Sequence, residues 1–255
     1  MGKIKDKRWI GIILSLFLTI VFVAISLTVN KIIQGTPWFL FSSCLRIVFG
    51  VLILYIVKKV FGKNAKEVFC FKNGKEAVIA ATGFLVYFIY FVILYGVGIK
   101  SITGLTADLF LTKVILQQLA TGFYEEIHYR VLMCEGYRFT KGGFSRKLIY
   151  ALISSVLFAS IHIIGGWDTI TFLRTGAIGF AFSAIYLQSG NILLPMILHF
   201  VYDIVANMNG FIEWNDSELF DSLYFIFEIM IAIMFLVSLI ILIRKEDIND
   251  KQKSL

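Results

Sequence analysis

Long unbroken apolar runs, separated by short polar segments, dominate the chain. Eight stand out: residues 9–29, 38–57, 77–99, 114–134, 148–164, 169–187, 192–208 and 223–243. A helix needs about 20 largely apolar residues to cross the hydrocarbon core of a bilayer. Within these runs the apolar residues are continuous and do not alternate with polar ones, which excludes a β-barrel. The pattern predicts an all-α polytopic membrane protein, a bundle of about eight transmembrane helices. It shows no internal repeat and no linker, so residues 1–255 read as a single membrane-embedded domain.

Composition agrees with this. Of 255 residues 58% are apolar and only 16% charged, and the mean hydropathy is +0.83. Soluble domains carry about 25% charged residues. A soluble enzyme, a secreted disulfide scaffold and a disordered chain are thereby excluded.

The net charge of +7 first suggests an anionic partner, but its distribution points to topology. With the N-terminus in the cytoplasm, 18 of the 24 Lys and Arg fall in inner segments, and only Lys31, Lys100 and Lys113 in outer ones. Cytoplasmic loops carry such an excess, so both termini are expected inside. The basic residues do not form one patch, and no nucleic-acid partner is expected. The start Lys3, Lys5, Lys7, Arg8 resembles a signal peptide, yet the apolar run behind it is too long and ends in no A-x-A-like site. It reads as a retained anchor. Cys44, Cys70 and Cys134 give neither a disulfide framework nor a C-x-x-C metal spacing.

The scarcity of charge makes the exceptions visible. The spans contain Arg46, Glu125, Glu126, Arg130, Arg174, Asp203 and Glu228, with all three histidines, His128, His162 and His199. An ionisable group at the bilayer centre costs at least about 2.5–3.5 kcal/mol on insertion scales, so each needs a partner or a purpose. In the fourth span Glu126 and Arg130 are four residues apart and share a helix face. Glu125 lies about 100° around the helix and points elsewhere. One carboxylate can thus be held as an ion pair while the other stays free. Glu125 and His162 lie about 15 and 20 Å from the inner ends of their helices, at similar depth. His199 and Asp203 share a face of the seventh span, either as a closed pair or aimed at the same pocket. His128, three residues beyond Glu125, is a possible neighbour for it. Arg174 and Glu228, near span ends, can snorkel. Glu135 is expected in solvent, and Arg46 can serve a pocket carboxylate or a substrate carboxylate.

In order, the chain reads E-E-x-x-x-R (Glu125, Glu126, Arg130), F-x-x-x-H (Phe158, His162) and H-x-x-x-D (His199, Asp203), each on its own apolar helix. This constellation, over about 114–208, resembles the CPBP family of intramembrane proteases, the CAAX-processing and bacteriocin-processing (Abi) group. Asp203 is the acidic variant of a position that takes Asn or Asp there, and Val131 stands where Gly is frequent.

The resemblance implies an intramembrane endopeptidase of the bacterial plasma membrane, with its catalytic core at about 114–208. Its substrates would be membrane-associated peptides or proteins, either CAAX-type or bacteriocin- and signal-peptide-like. A water activated by Glu125 and His162 would attack the peptide bond. His199, and Asp203 if protonated, would stabilise the oxyanion, since an ionised Asp203 would repel it. No cofactor is required. Zinc stays open, because the family carries a metalloprotease label and Glu125, His162 and His199 are acceptable ligand types. Two other functions fit the titratable residues: a proton-coupled transporter, and a non-catalytic bacteriocin-immunity or regulatory protein.

Overall fold

The computed structural model describes residues 7–139, 144–215 and 217–253. Lys3, Lys5 and Lys141 of the inner basic segments and Asp216 of the acidic outer loop lie outside them. The described chain is almost wholly helical. Its elements are α1 (Ile10–Asn30), α2 (Thr36–Phe61), the short α3 (Ala65–Val68), α4 (Gly74–Ala80) and α5 (Thr82–Gly98). A strand β1 (Ile99–Ile102) leads to α6, which runs over 107–132. After it come α7 (Phe144–His162), α8 (Thr169–Ser189), α9 (Leu193–Met208), β2 (Ile212–Trp214) and α10 (Glu218–Lys253). β1 and β2 pair antiparallel and tie the end of α5 to the segment after α9.

Every expected apolar run is helical, as continuous hydrophobicity dictates. Four helices are long and apolar enough to cross a bilayer: α1, α2, α8 and, in α10, Glu218–Ile243. The α4–α5 pair makes a fifth if its 59° bend joins the two into one span. The helices that fall short, α6, α7 and α9, are those that carry the three motifs. α9 has 16 residues, about 24 Å at 1.5 Å per residue. α7 opens on Arg146 and Lys147, and α6 contains Glu125, Glu126 and Arg130. In α6, the residues expected to act are themselves what interrupt the simple apolar pattern.

Local chemistry sets the ends. Gly62 closes α2 and Gly190 closes α8 in left-handed conformations, φ 75° and 66°, which glycine adopts without a Cβ penalty. Asn64 and Glu67 form a reciprocal cap on α3, and Asp168 caps α8. α6 departs from regular geometry. It widens into π-type turns over Phe110–Leu116 and Ile127–Leu132, on either side of the α-helical Gln117–Glu126. Such turns occur often at functional sites.

α8 is the central helix, with 61% of its apolar span buried against 22% for α1 and 28% for α10. One core cluster joins α1, α2, α6, α7 and α8. A second joins α4, α5, α8 and α10. Large apolar side chains such as Phe17, Ile20, Val48, Ile89 and Phe225 face outward, which suits contact with lipid and not with water. α1 packs closely on the end of α6: a side chain at Gly11 would strike the Leu132 carbonyl, and one at Gly136 the Arg8 carbonyl.

Two expectations are corrected. Glu135 is not solvated but 2% exposed, paired with Lys63 Nζ at 2.7 Å and Arg138 Nε at 3.1 Å. The Tyr186 hydroxyl donates to the same carboxylate. Burial holds the Lys63 ammonium below its ordinary value, while Glu135 pulls it back up. Arg174 and Glu228 do not snorkel separately. They pair at 2.8 Å between α8 and α10, and the Arg174 guanidinium lies 5.0 Å over Phe227.

Candidate active site

α6 supplies two adjacent carboxylates in different surroundings. Glu126 is fully buried and held by Arg130, whose Nε lies 3.1 Å from Oε2 and Nη2 3.3 Å from Oε1. Arg130, also fully buried, donates from Nη1 to Ser154 Oγ at 2.8 Å on α7. Its guanidinium is sandwiched by rings, 4.8 Å from Phe158 and 5.9 Å from Phe182. Every charge on this pair is matched, as two buried ions require.

Glu125 is 6% exposed. Its buried Oε2 makes no hydrogen bond, which is costly for a carboxylate oxygen away from water. The residue lines a cavity of about 200 Å³ with Arg46, Tyr124, Tyr129 and His162, while α1 adds Thr19 and Phe22. Two carboxylates one residue apart are thus separated: one is locked, the other faces a cavity.

His162 is the last residue of α7. Its Nδ1–H donates to the Phe158 carbonyl at 2.7 Å, so the neutral ring keeps its Nε2 lone pair for a further partner. Phe158 packs on His162 with centroids 4.7 Å apart and meets His199 edge-on at 5.8 Å.

His199, on α9, joins the locked pair. Its Nδ1–H donates to Glu126 Oε1 at 2.9 Å. Nε2 lies 3.3 Å from Asp203 Oδ2 and 3.8 Å from Glu125 Oε2. His128 turns away from Glu125. Its Nε2–H donates to the Ser15 carbonyl at 3.1 Å, and its Nδ1 accepts from the Tyr124 hydroxyl at 2.9 Å. The four-residue spacing of Tyr124 and His128 could have announced that pair. Nothing local in the sequence places Thr19 or Tyr129 at the cavity.

Among the described residues no group of three or more His, Cys, Asp or Glu is arranged to hold a metal.

Fold and site together define a helical integral membrane protein with a buried carboxylate–arginine–histidine network beside a small cavity. Residues 107–205 match the family model for type II CAAX prenyl endopeptidase, Rce1-like. The matched segment holds all three motifs and supports a protease. It leaves out α1 and α2, which wall the cavity. No curated protein and no solved structure matches the chain.

Proposed function

We propose that the protein is an intramembrane endopeptidase that hydrolyses peptide bonds of membrane-associated peptides or proteins with a water activated by Glu125 and His162. Its substrates would be CAAX-type or bacteriocin- and signal-peptide-like. All eight helical runs would span the bacterial plasma membrane as one domain with both termini cytoplasmic, and residues 114–208 would form the catalytic core. One observation carries the reading: Glu125 keeps a buried carboxylate oxygen without a hydrogen bond in a cavity shared with His162, while Glu126 is fully engaged.

A water donating one hydrogen to Glu125 and the other to His162 Nε2 presents its lone pair to a substrate carbonyl. As the O–C bond forms, Glu125 takes the proton and the carbonyl π pair moves onto oxygen. Collapse then re-forms the C=O bond and breaks C–N, and the nitrogen leaves with the proton from Glu125. Proton transfer by a positioned base contributes typically 10²–10⁴-fold. Glu126, Arg130 and His199 hold the helices that carry these groups.

The test is cleavage of a co-expressed substrate. Glu125→Gln and His162→Ala should each abolish processing while the protein stays inserted. Processing retained by either variant overturns the mechanism. Substrate-dependent proton flux without cleavage would favour a transporter.

A further inference from the structure

The proposed hydrolysis develops a negative charge on the substrate carbonyl oxygen, and His199 with Asp203 is poorly placed to receive it. His199 gives Nδ1 to Glu126, and its Nε2 lies between two carboxylates, 3.3 Å from Asp203 and 3.8 Å from Glu125. An ionised Asp203 adds repulsion. Among the described residues lining the cavity that holds Glu125, Arg46 is the one Lys or Arg.

Arg46 sits mid-helix in α2, where a charge is expensive. Its Nη1 donates to the Ser42 carbonyl at 3.3 Å and also to Ser42 Oγ. The guanidinium lies 5.5 Å over the Phe22 ring. Its Nε is buried and bonded to nothing. Among the described residues no carboxylate forms an ion pair with it; Glu125 and Asp203 act on it only at longer range. A guanidinium carries five N–H donors, so most of these remain for another acceptor. Arg46, with a buried Nε that makes no hydrogen bond, and Glu125, with a buried Oε2 that makes none, thus line the same cavity. The reaction needs one group to take a proton and another to meet the charge that results.

We propose that Arg46 is a catalytic residue of this chain, stabilising the oxyanion formed when the water held by Glu125 and His162 attacks. This rests on the protease reading above. Donors aimed at developing charge in a dry site are worth more than in water and cost no reorganisation during the reaction. No proton is transferred at Arg46; it donates hydrogen bonds to the oxygen while the charge is there and releases it when the C=O bond re-forms.

The experiment uses the full chain in proteoliposomes with a peptide that the wild type cleaves and Glu125→Gln does not. Arg46→Gln should lower kcat by about 10²–10³-fold with KM changed less than about threefold. Arg46→Lys, which keeps the charge but not the fork, should fall between. A phosphinate peptide, carrying a tetrahedral anion in place of the scissile amide, should bind Arg46→Gln more weakly than wild type. The uncleaved parent peptide should bind Glu125→Gln and Glu125→Gln/Arg46→Gln equally. A kcat within about threefold of wild type in Arg46→Gln overturns the assignment. So does a change confined to KM, or unchanged phosphinate affinity. A wild type that cleaves no peptide overturns the protease reading itself, a result distinct from all of these.

Discussion

His199 is bonded to Glu126 and not to Glu125: its Nδ1 is 2.9 Å from Glu126 Oε1, whereas its Nε2 stops 3.8 Å from Glu125 Oε2. The ring therefore closes a network that already contains Arg130, and it fixes α9 against α6. Glu125 is held beside that network without being bonded into it. A rigid support next to a carboxylate left free suits a group that must change its protonation during a reaction cycle.

Removing Arg130 should show how much the network contributes. Arg130→Leu leaves Glu126 buried without its guanidinium, and breaking such a pair costs about 3–5 kcal/mol. Thermal unfolding in detergent should report a loss of that size. Arg130→Lys, which cannot reproduce the two-pronged contact with Glu126 and the bond to Ser154, should recover only part of it.

Gly122 tests the geometry of the site without touching its chemistry. A Cβ there would meet the Met196 carbonyl at 3.3 Å and the Phe200 amide nitrogen at 3.5 Å, so α6 and α9 approach closely one helical turn before Glu125. Gly122→Ala should be tolerated with small shifts. Gly122→Leu should push the helices apart and lower kcat about 10²-fold, the scale of a 1 Å misplacement. Retention of a monodisperse folded protein distinguishes this from misfolding.

The Lys63–Glu135 pair lies away from the cavity and should affect stability without affecting specificity. Glu135→Leu strands Lys63, which is 7% exposed, and should cost about 3–5 kcal/mol in unfolding measurements. Glu135→Leu combined with Lys63→Met should restore much of the loss, because a buried ion pair replaced by apolar groups is often neutral.

Asp168 should give α8 a pH-dependent start. The Thr171 hydroxyl donates to its carboxylate, as does the Ile170 amide at 3.1 Å. These bonds, that of Thr171 first, hold its pKa below the ordinary 3.8. A depressed carboxylate contributes stability that is present above the unfolded pKa and lost as pH falls through the folded one. The protection of the Ile170 amide, the slowing of its exchange relative to that of an unstructured amide at the same pH, should therefore fall below about pH 3.8. In Asp168→Ala the protection should be low throughout, with no such transition.

What was legible in the sequence is what is encoded within a turn or two of chain. Apolar runs located the helices, the four-residue spacing paired Glu126 with Arg130, and the 100° step between Glu125 and Glu126 separated their surroundings. What was hidden depends on residues brought together from far apart. Glu135 ends an apolar run and reads as a solvated cap; only the return of Lys63 and Tyr186 buries it. His199 pairs with Glu126 across two helices, and no spacing within α9 reveals that Asp203 is its more distant partner. Arg46 was visible as a mid-span cation with no acid a turn away, but its place in the cavity depends on how α2 meets α6. The wide turns of α6 left no mark in hydropathy.

The Glu126–Arg130 pair also bears on how the chain enters the bilayer. Helices are delivered in order of synthesis, and His199 is made 73 residues after Glu126. Until α9 arrives, α6 must reside in lipid with the partners it carries itself. Because Arg130 lies one turn from Glu126 on the same helix, that carboxylate is neutralised at once, whereas Glu125 has no Lys or Arg a turn away on α6. The arrangement that later steadies the site thus first serves as the helix's passport through the insertion machinery.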